Sequence, residues 1–151
     1  MLLACPHCHA KNRVDEDRLN QTPTCGKCGR ELLAGAPVEL DEAAFTALTE
    51  RSERPVVVDF WAAWCGPCRM FAPVFAEAAA RRKDVVFAKV DTDANPGLSA
   101  RLSIRSIPTL AVFHRGALID RMSGALPAGR FDAWLQAAVA KAGSRAATAA
   151  R

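Results

Sequence analysis

The sequence predicts an α/β fold in which helices cover both faces of a central mixed β-sheet, with a small cysteine-rich segment in front of it. From Val38 onward, apolar runs of strand length alternate with segments of helical periodicity in the order βαβαβα. A hairpin and a last helix follow this alternation. Residues 1–30 contain few apolar side chains, so hydrophobic burial within this segment is too small to hold it together.

The first half of the α/β region contains two predicted helices around one strand. Asp41 can cap a helix that extends through Glu50. The run Val56–Phe60, which begins with three β-branched valines and is apolar apart from Asp59, is typical of a central buried strand. A second helix is predicted from about Cys65 to Arg82. Its inner face carries apolar side chains at helical spacing, namely Phe71, Val74, Phe75 and Ala78.

The second half of the region supplies the other strands of the sheet. Val85–Val90 has the composition of a second buried strand, and Pro96–Leu102 predicts a short helix. Two further segments of strand length, Thr109–Phe113 and Ala117–Met122, are separated by His114–Gly116. This short polar interruption, which contains a glycine, predicts a hairpin.

The last helix and the segment boundaries complete the predicted organisation. Pro127 suits the first turn of a helix that extends to about Ala142, where Gly143 is expected to stop it. The predicted parts are a cysteine-rich domain at residues 1–30, a linker at 31–37, the α/β domain at 38–143 and a flexible tail at 144–151.

Composition and charge exclude several classes of function. The 151 residues are 50% hydrophobic and 24% charged, as in ordinary globular proteins. The net charge of +4 is spread along the chain without the basic stripe of a nucleic-acid-binding protein. No apolar run approaches the ~18–20 residues of a membrane span. Met1–Cys5 lacks the basic start of a signal peptide, so we expect a cytosolic protein with reduced thiols.

The cysteines near the N-terminus have the spacing of a metal site. All six cysteines of the chain fall into Cys-x-x-Cys pairs, and the first two pairs are Cys5/Cys8 and Cys25/Cys28. Their separation lies within the range of four-thiolate zinc sites. Two such turns complete a tetrahedron around one ion and leave no open position, so we expect one structural zinc in a zinc-ribbon-like domain.

Other interpretations of this segment remain open. His7 and His9 could be metal ligands, although four thiolates suffice and exposed loop positions are expected for both. Cys5-Pro6-His7-Cys8 could form a second thiol-disulfide site, but no run of strand length precedes it, as such sites require. A nucleic-acid or protein adaptor would need clustered basic and aromatic residues, and residues 1–30 contain no Phe, Trp or Tyr.

The third cysteine pair lies where a predicted strand turns into a helix. Free N–H groups and the positive end of the dipole at a helix start favour a thiolate over a thiol. Cys65 is therefore the expected attacking group. Cys68 lies one turn further in, and we expect it to be more buried and to resolve the intermediate.

The segment Trp61–Cys68 resembles the active-site motif of the thioredoxin family. Further agreement lies at Asp59, Lys89, Ile107-Pro108-Thr109 and Gly124-Ala125-Leu126. With its N-terminal extension, the chain to about Gly143 is similar to the cytosolic bacterial members that carry a zinc domain. The resemblance implies a thioredoxin fold, reduction of protein disulfides, and re-reduction by an NADPH-dependent thioredoxin reductase. It also implies a monomer without a bound organic cofactor.

The direction of the reaction follows only from this resemblance. The dipeptide Gly66-Pro67 is similar to that of the reducing members of the family. An oxidase or isomerase is the alternative within enzymes, and a secretion signal would have favoured it.

The resemblance also implies roles for two charged strand residues. Asp59 would take the proton from Cys68, with a pKa raised by desolvation. Its apolar neighbours make an outward-facing position on an edge strand the weaker alternative. Lys89 would lie near Asp59 and tune it, whereas an exposed strand lysine is the default expectation without the resemblance.

A target-binding surface is the last implication of the resemblance. Ile107-Pro108 resembles the cis-proline loop of the family, although the sequence alone favours a trans bond. A target peptide could then pair with the backbone of Ile107, with Gly124 leaving room for it. Trp61 is expected to pack beneath the active-site turn in a structural role. The implied substrate-binding residues are Trp64, Gly66, Pro67, Ile107, Pro108, Gly124 and Ala125.

Overall fold

The computed structural model describes residues 2–15, 23–32 and 35–149. Residues 16–22 of the predicted cysteine-rich domain, 33–34 of the predicted linker and 150–151 of the predicted tail lie outside the described residues. The elements are β1 (Leu2–Ala4), β2 (Lys11–Arg13), β3 (Val38–Glu39), α1 (Glu42–Arg51), β4 (Val56–Trp61), α2 (Gly66–Arg81), β5 (Val86–Asp91), α3 (Pro96–Arg101), β6 (Thr109–His114), β7 (Ala117–Ser123) and α4 (Ala128–Ala149).

The main sheet has five strands in the order β3-β5-β4-β6-β7. Strands β3 and β4 pair with β5 in parallel, whereas β6 pairs antiparallel with β4 and β7. β4 is therefore flanked on both sides, and Val56–Phe60 is buried throughout because helices also cover both faces. This arrangement confirms the predicted α/β fold with a mixed sheet.

Alternate residues of β4 face two different cores, as the pleat of a strand requires. Val57 faces α2 and α4, where Phe71 and Phe131 meet edge to face with their ring centroids 5.2 Å apart. Val58 faces α1 and α3, where the ring of Phe45 meets that of Phe113 edge to face, with the centroids 5.1 Å apart. Because helices cover both faces of the sheet, an active site is expected at an end of its strands.

The N-terminal hairpin packs on α1 and has no separate core of its own. β1 and β2 pair antiparallel, and the buried side chains of Leu3 and Val14 join the same apolar cluster as Phe45. The expectation that no strand precedes Cys5 is wrong, because the three residues of β1 lead directly into it. The short strand was missed because only a partner strand, and not its own length, makes it stable.

The hairpin between β6 and β7 has a tighter turn than predicted. His114 belongs to β6, so the loop consists of Arg115 and Gly116 instead of His114–Gly116. Both loop residues have positive φ, 51° and 82°, as a two-residue turn matching the twist of its strands requires.

The last helix is longer than predicted. Pro127 lies just before α4, and its carbonyl accepts the N–H of Phe131 at 2.9 Å. The predicted end at Ala142 is wrong, because α4 continues through Gly143 to Ala149. A glycine inside a helix costs about 1 kcal/mol relative to alanine. The Ala-rich sequence on both sides offsets this penalty. In the part of the chain described, no helix is both long and apolar enough to cross a membrane.

Candidate active site and metal centre

The third cysteine pair lies at the junction of β4 and α2. Cys65 is the N-cap of α2, and its Sγ accepts the backbone N–H of Cys68 at 3.2 Å. Pro67 lies in the first turn, where its missing N–H is tolerated. The two cysteines form a disulfide bond with their Cα atoms 5.2 Å apart. The helix start thus directs a backbone donor at the sulfur that would carry negative charge after reduction.

Both active-site cysteines are buried in this disulfide form. Their exposed fractions are 4% for Cys65 and 3% for Cys68. Cys68, which was expected to be more buried, is therefore buried to nearly the same extent as Cys65. Ala62 and Ile107 pack against the pair. The carbonyl oxygen of Ile107 lies 3.6 Å from Cys65 Sγ, which places the loop before β6 beside the reactive sulfur.

Asp59 is fully buried on the central strand β4, which excludes the outward-facing edge position. It shares the face of β4 that α2 covers, as its spacing of two residues from Val57 requires. Neither carboxylate oxygen has a hydrogen-bond partner. Burial raises the pKa of Asp59 to about 7, although the charge of Lys89 acts to lower it. A carboxyl group in this state can exchange a proton near neutral pH.

Lys89 lies directly opposite Asp59 in the register of β4 and β5. Its ammonium group, however, lies over the ring of Trp61, with Nζ 4.6 Å from the ring centroid. The indole N–H of Trp61 donates to Glu39 Oε2 at 3.3 Å. Trp61 therefore connects two charged side chains and is more than a packing residue beneath the turn.

The surface around the disulfide is open and partly apolar. The side chain of Trp64 is 69% exposed. The Ile107–Pro108 bond is cis, and the Pro108 carbonyl accepts the N–H of Gly124 at 2.9 Å. No atom lies within 4 Å of the position that a Cβ on Gly124 would take, and its φ of 112° also favours glycine. Ala125 is exposed next to it.

Three further residues at this site were not found from the sequence. Asp93 Oδ2 accepts the indole N–H of Trp64 at 2.8 Å and so fixes the exposed ring. Glu39 contacts Trp61, and Met70 is 76% exposed on the first turns of α2. Asp93 follows β5, which is parallel to β4, so the two strands end at the same edge of the sheet. The sequence could therefore have predicted that Asp93 lies at the same end of the sheet as the disulfide. Glu39 lies in a strand of two residues, too short for any periodicity to reveal.

The four N-terminal cysteines meet in one cluster, with all Sγ atoms within 4.8 Å of one another. Cys5 Sγ lies 3.6 Å from Cys28 Sγ, and Cys8 Sγ lies 3.5 Å from Cys25 Sγ. A tetrahedral zinc site with Zn–S bonds of ~2.3 Å requires sulfur separations of about 3.8 Å. The donor set and its size therefore fit a zinc ion.

The two Cys-x-x-Cys turns have the same backbone pattern. Cys5 N–H donates to the Ala10 carbonyl and Cys25 N–H to the Arg30 carbonyl, both at 2.8 Å. Backbone N–H groups also point at Cys5 Sγ and Cys25 Sγ at 3.4 Å, as thiolate ligands need. His7 and His9 are not part of the cluster, which agrees with the expectation that four thiolates suffice.

Two of these thiols differ in their electrostatics. Donated N–H groups, first that of Cys28, lower the pKa of Cys25 to about 5. Burial raises the pKa of Cys5 to about 11. The donated N–H groups thus favour the thiolate form of Cys25, whereas burial opposes it at Cys5, from which a metal ion would displace the proton.

A disulfide at a helix start, a buried carboxyl group behind it and this α/β sheet define a thiol-disulfide oxidoreductase. Comparison with known proteins gives the family. The thioredoxin family model matches residues 36–137, and the model described as Thioredoxin 2, N-terminal, matches residues 4–30. The chain belongs to the thioredoxin family, and its N-terminal segment is the zinc ribbon of the thioredoxin 2 type.

Individual relatives agree with this assignment. Thioredoxin C-3 of Corynebacterium nephridii is 47% identical over 135 residues, which are 89% of this chain and 93% of that protein. The bifunctional thioredoxin reductase/thioredoxin of Mycobacterium leprae (strain TN) is 44% identical over 93 residues, 61% of this chain and 20% of that protein. The crystal structure of thioredoxin f from spinach chloroplast has a TM-score of 0.64 and 30% identity, covering 72% of this chain and 88% of that one.

Proposed function

We propose that the protein is a cytosolic protein-disulfide reductase that works through Cys65-Gly66-Pro67-Cys68 and is reduced in turn by an NADPH-dependent thioredoxin reductase. The observation that carries this proposal is the position of Cys65 at the N-cap of α2, with the buried Asp59 on the strand behind it. The start of a helix lowers the pKa of the thiol, and a buried carboxyl group can accept the proton of the second cysteine.

In the first step, the Cys65 thiolate attacks one sulfur of a target disulfide. A mixed disulfide forms between Cys65 and the target, and the second target sulfur leaves as a thiolate. The N–H of Cys68, 3.2 Å from Cys65 Sγ in the oxidised form, is a donor that stabilises the attacking thiolate.

In the second step, Asp59 accepts the proton of the Cys68 thiol. The resulting thiolate attacks Cys65 Sγ, the target leaves as its second thiolate, and the Cys65–Cys68 disulfide forms. A pKa of about 7 suits Asp59 for this exchange, because a base is most effective when its pKa lies near the working pH. Lys89, opposite Asp59, tunes this carboxyl group by its charge.

Target proteins bind over the surface around the disulfide. An extended target segment would lie between the exposed Trp64 and the open position at Gly124. We assign the contact surface to Trp64, Gly66, Pro67, Ile107, Pro108, Gly124 and Ala125. Its mixed apolar and backbone character suits many sequences, which is the property of a general reductant.

One structural zinc ion is held by Cys5, Cys8, Cys25 and Cys28. When bound, the metal supplies folding energy to a segment with few apolar residues and performs no redox step. The chemistry of disulfide reduction needs no bound organic cofactor, and the chain acts as a monomer. The domain partition proposed from the sequence, with a zinc domain at residues 1–30 and a catalytic domain at 38–143, assigns these two tasks to separate segments.

The reductase partner is supported by the Mycobacterium leprae relative, whose name joins a thioredoxin reductase to a thioredoxin in one chain. The test is insulin reduction with NADPH and thioredoxin reductase, followed as NADPH consumption. Consumption that needs all three components supports the proposal. Failure of insulin reduction with the reductase and also with dithiothreitol would overturn the activity. Failure with the reductase alone would overturn only the partner.

A further inference from the structure

Glu39, a residue of the edge strand β3, lies where it can control the charge next to Asp59. We propose that Glu39 is a positioning residue that holds the Lys89 ammonium group against Trp61 and away from Asp59. This inference rests on the proposed role of Asp59 as the base and deepens it. The consequence is that the buried carboxyl group keeps no ion-pair partner and remains able to take up a proton.

The sheet register places the three charged residues in one row. Glu39 is paired with Lys89 between β3 and β5, and Lys89 is paired with Asp59 between β5 and β4. Directly paired residues point to the same face of a sheet, on strands about 4.8 Å apart. Lys89 therefore has a carboxyl group on each side, and the conformation of its side chain decides which of them its ammonium group favours.

The contacts show which side Lys89 takes. Its Nζ lies 4.6 Å from the centre of the Trp61 ring, and the same ring donates its N–H to Glu39 Oε2 at 3.3 Å. Both oxygens of Asp59 lack a hydrogen-bond partner, so the ammonium group is not bonded to it. Trp61 thus offers Lys89 an aromatic face that is oriented by Glu39.

Desolvation explains this choice. Asp59 is fully buried, so an ion pair with it would draw the ammonium group out of water as well. Glu39 is exposed, and Lys89 is half-buried, so their mutual attraction leaves the ammonium group hydrated. Glu39 therefore attracts the ammonium group at a lower desolvation cost than Asp59 does, and the contact with the Trp61 ring is compatible with that attraction.

The other groups around Asp59 do not supply a competing charge. Its neighbour on β6 is Leu110, and α2 contributes Cys68, which is uncharged in the disulfide. Partial desolvation raises the pKa of Glu39 against the charge of Lys89, and the charge of Asp91 on β5 adds to that rise. Lys89 lowers the pKa of Asp59 and Glu39 raises it, so the two dominate the charge at this site.

The test is the titration of Asp59 in the oxidised protein, followed by the ¹³C chemical shift of its carboxyl carbon. Glu39→Gln removes the charge but keeps an oxygen for the Trp61 N–H. The loss of the Glu39 charge lowers the titration midpoint of Asp59 directly, and the released Lys89 ammonium group lowers it further. We therefore expect the midpoint to fall by about 0.5–1 pH unit. Glu50→Gln, which removes an exposed charge from α1, is the matched control and leaves the midpoint unchanged. An unchanged or raised midpoint in Glu39→Gln overturns the proposal.

A double-mutant cycle tests whether Glu39 acts through Lys89. Lys89→Gln raises the Asp59 midpoint, and adding Glu39→Gln to it then lowers the midpoint by less than half as much as in the wild type. Equal shifts in both backgrounds would refute the holding of Lys89. Because the titration needs no turnover, its result is independent of whether Asp59 serves as the base, which single-turnover kinetics of Asp59→Asn decide separately.

Discussion

The backbone N–H of Ala4 donates to Ser52 Oγ at 3.2 Å, and this buried hydrogen bond joins the zinc ribbon to the end of α1. Glu53, the next residue, donates its N–H to the carbonyl of Leu2 at 2.9 Å. The contact lies just before β4 begins, whereas Cys65 follows the other end of that strand. The ribbon and the disulfide therefore occupy opposite ends of the central strand.

Ser52→Ala is expected to destabilise the protein, because it leaves the buried N–H of Ala4 without an acceptor. Such an orphaned group costs about 1–3 kcal/mol. Urea denaturation of the zinc-loaded protein measures the loss in free energy of unfolding. Ser106→Ala, at an exposed position, is the control and should change it by less than about 0.5 kcal/mol. Equal stability of the two variants would contradict a structural role for this bond.

Removal of zinc by a chelator is expected to unfold residues 1–30 and to leave disulfide reduction intact. The segment loses the four-thiolate centre, while the core between the sheet, α2 and α4, which borders the disulfide, contains no residue of the ribbon. Zinc quantification measures the loss of the metal, circular dichroism the unfolding of residues 1–30, and the reductase-coupled assay the remaining disulfide reduction. A metal-free protein without activity would show that the ribbon is required by the catalytic domain. An unchanged circular dichroism spectrum would contradict the structural role of the metal.

Cys65→Ser is expected to abolish disulfide reduction, whereas Cys68→Ser should accumulate mixed disulfides with target proteins. The first variant lacks the thiolate at the start of α2, and the second can attack but cannot resolve. Non-reducing electrophoresis of the products separates these outcomes, and dithiothreitol should release the trapped targets. Normal turnover by Cys65→Ser would disprove the assignment of the nucleophile.

Asp59→Asn is expected to slow resolution of the mixed disulfide near neutral pH while the fold stays intact. Asparagine keeps the size of the side chain but cannot accept the proton of Cys68. Single-turnover kinetics over pH 5–9 provide the measurement, and the wild-type rate should show a midpoint near the pKa of about 7 that the variant lacks. Identical pH dependence in both proteins would remove Asp59 from the mechanism.

The same variant should gain stability relative to the wild type as the pH rises. Burial raises the pKa of Asp59 from 3.8 to about 7, so the folded wild type holds a proton that the unfolded chain has lost. The wild type therefore loses stability between about pH 4 and pH 7, on the order of 4 kcal/mol in total, and Asp59→Asn does not. Urea denaturation at pH 4 and pH 8 measures this difference, and a constant gap between the proteins would mean that the pKa of Asp59 is the same in the folded and the unfolded protein.

Local patterns in the sequence determined most of the secondary structure and the cysteine chemistry. The apolar run that became β4 and the two zinc-binding pairs could be recognised because strand composition and the Cys-x-x-Cys turn are properties of a few consecutive residues. The cis bond at Pro108 could be predicted only from the family resemblance, because the local preference of the chain is for a trans bond.

Tertiary structure decided which charges meet and how the ribbon is held. The row of Glu39, Lys89 and Asp59 depends on the pairing of three strands that lie far apart in the sequence, one of them two residues long. The docking of β1 on α1 depends on Ser52, which carries no motif. Register and packing are set by the free energy of the whole chain, so the environment that gives Asp59 its pKa exists only in the folded protein.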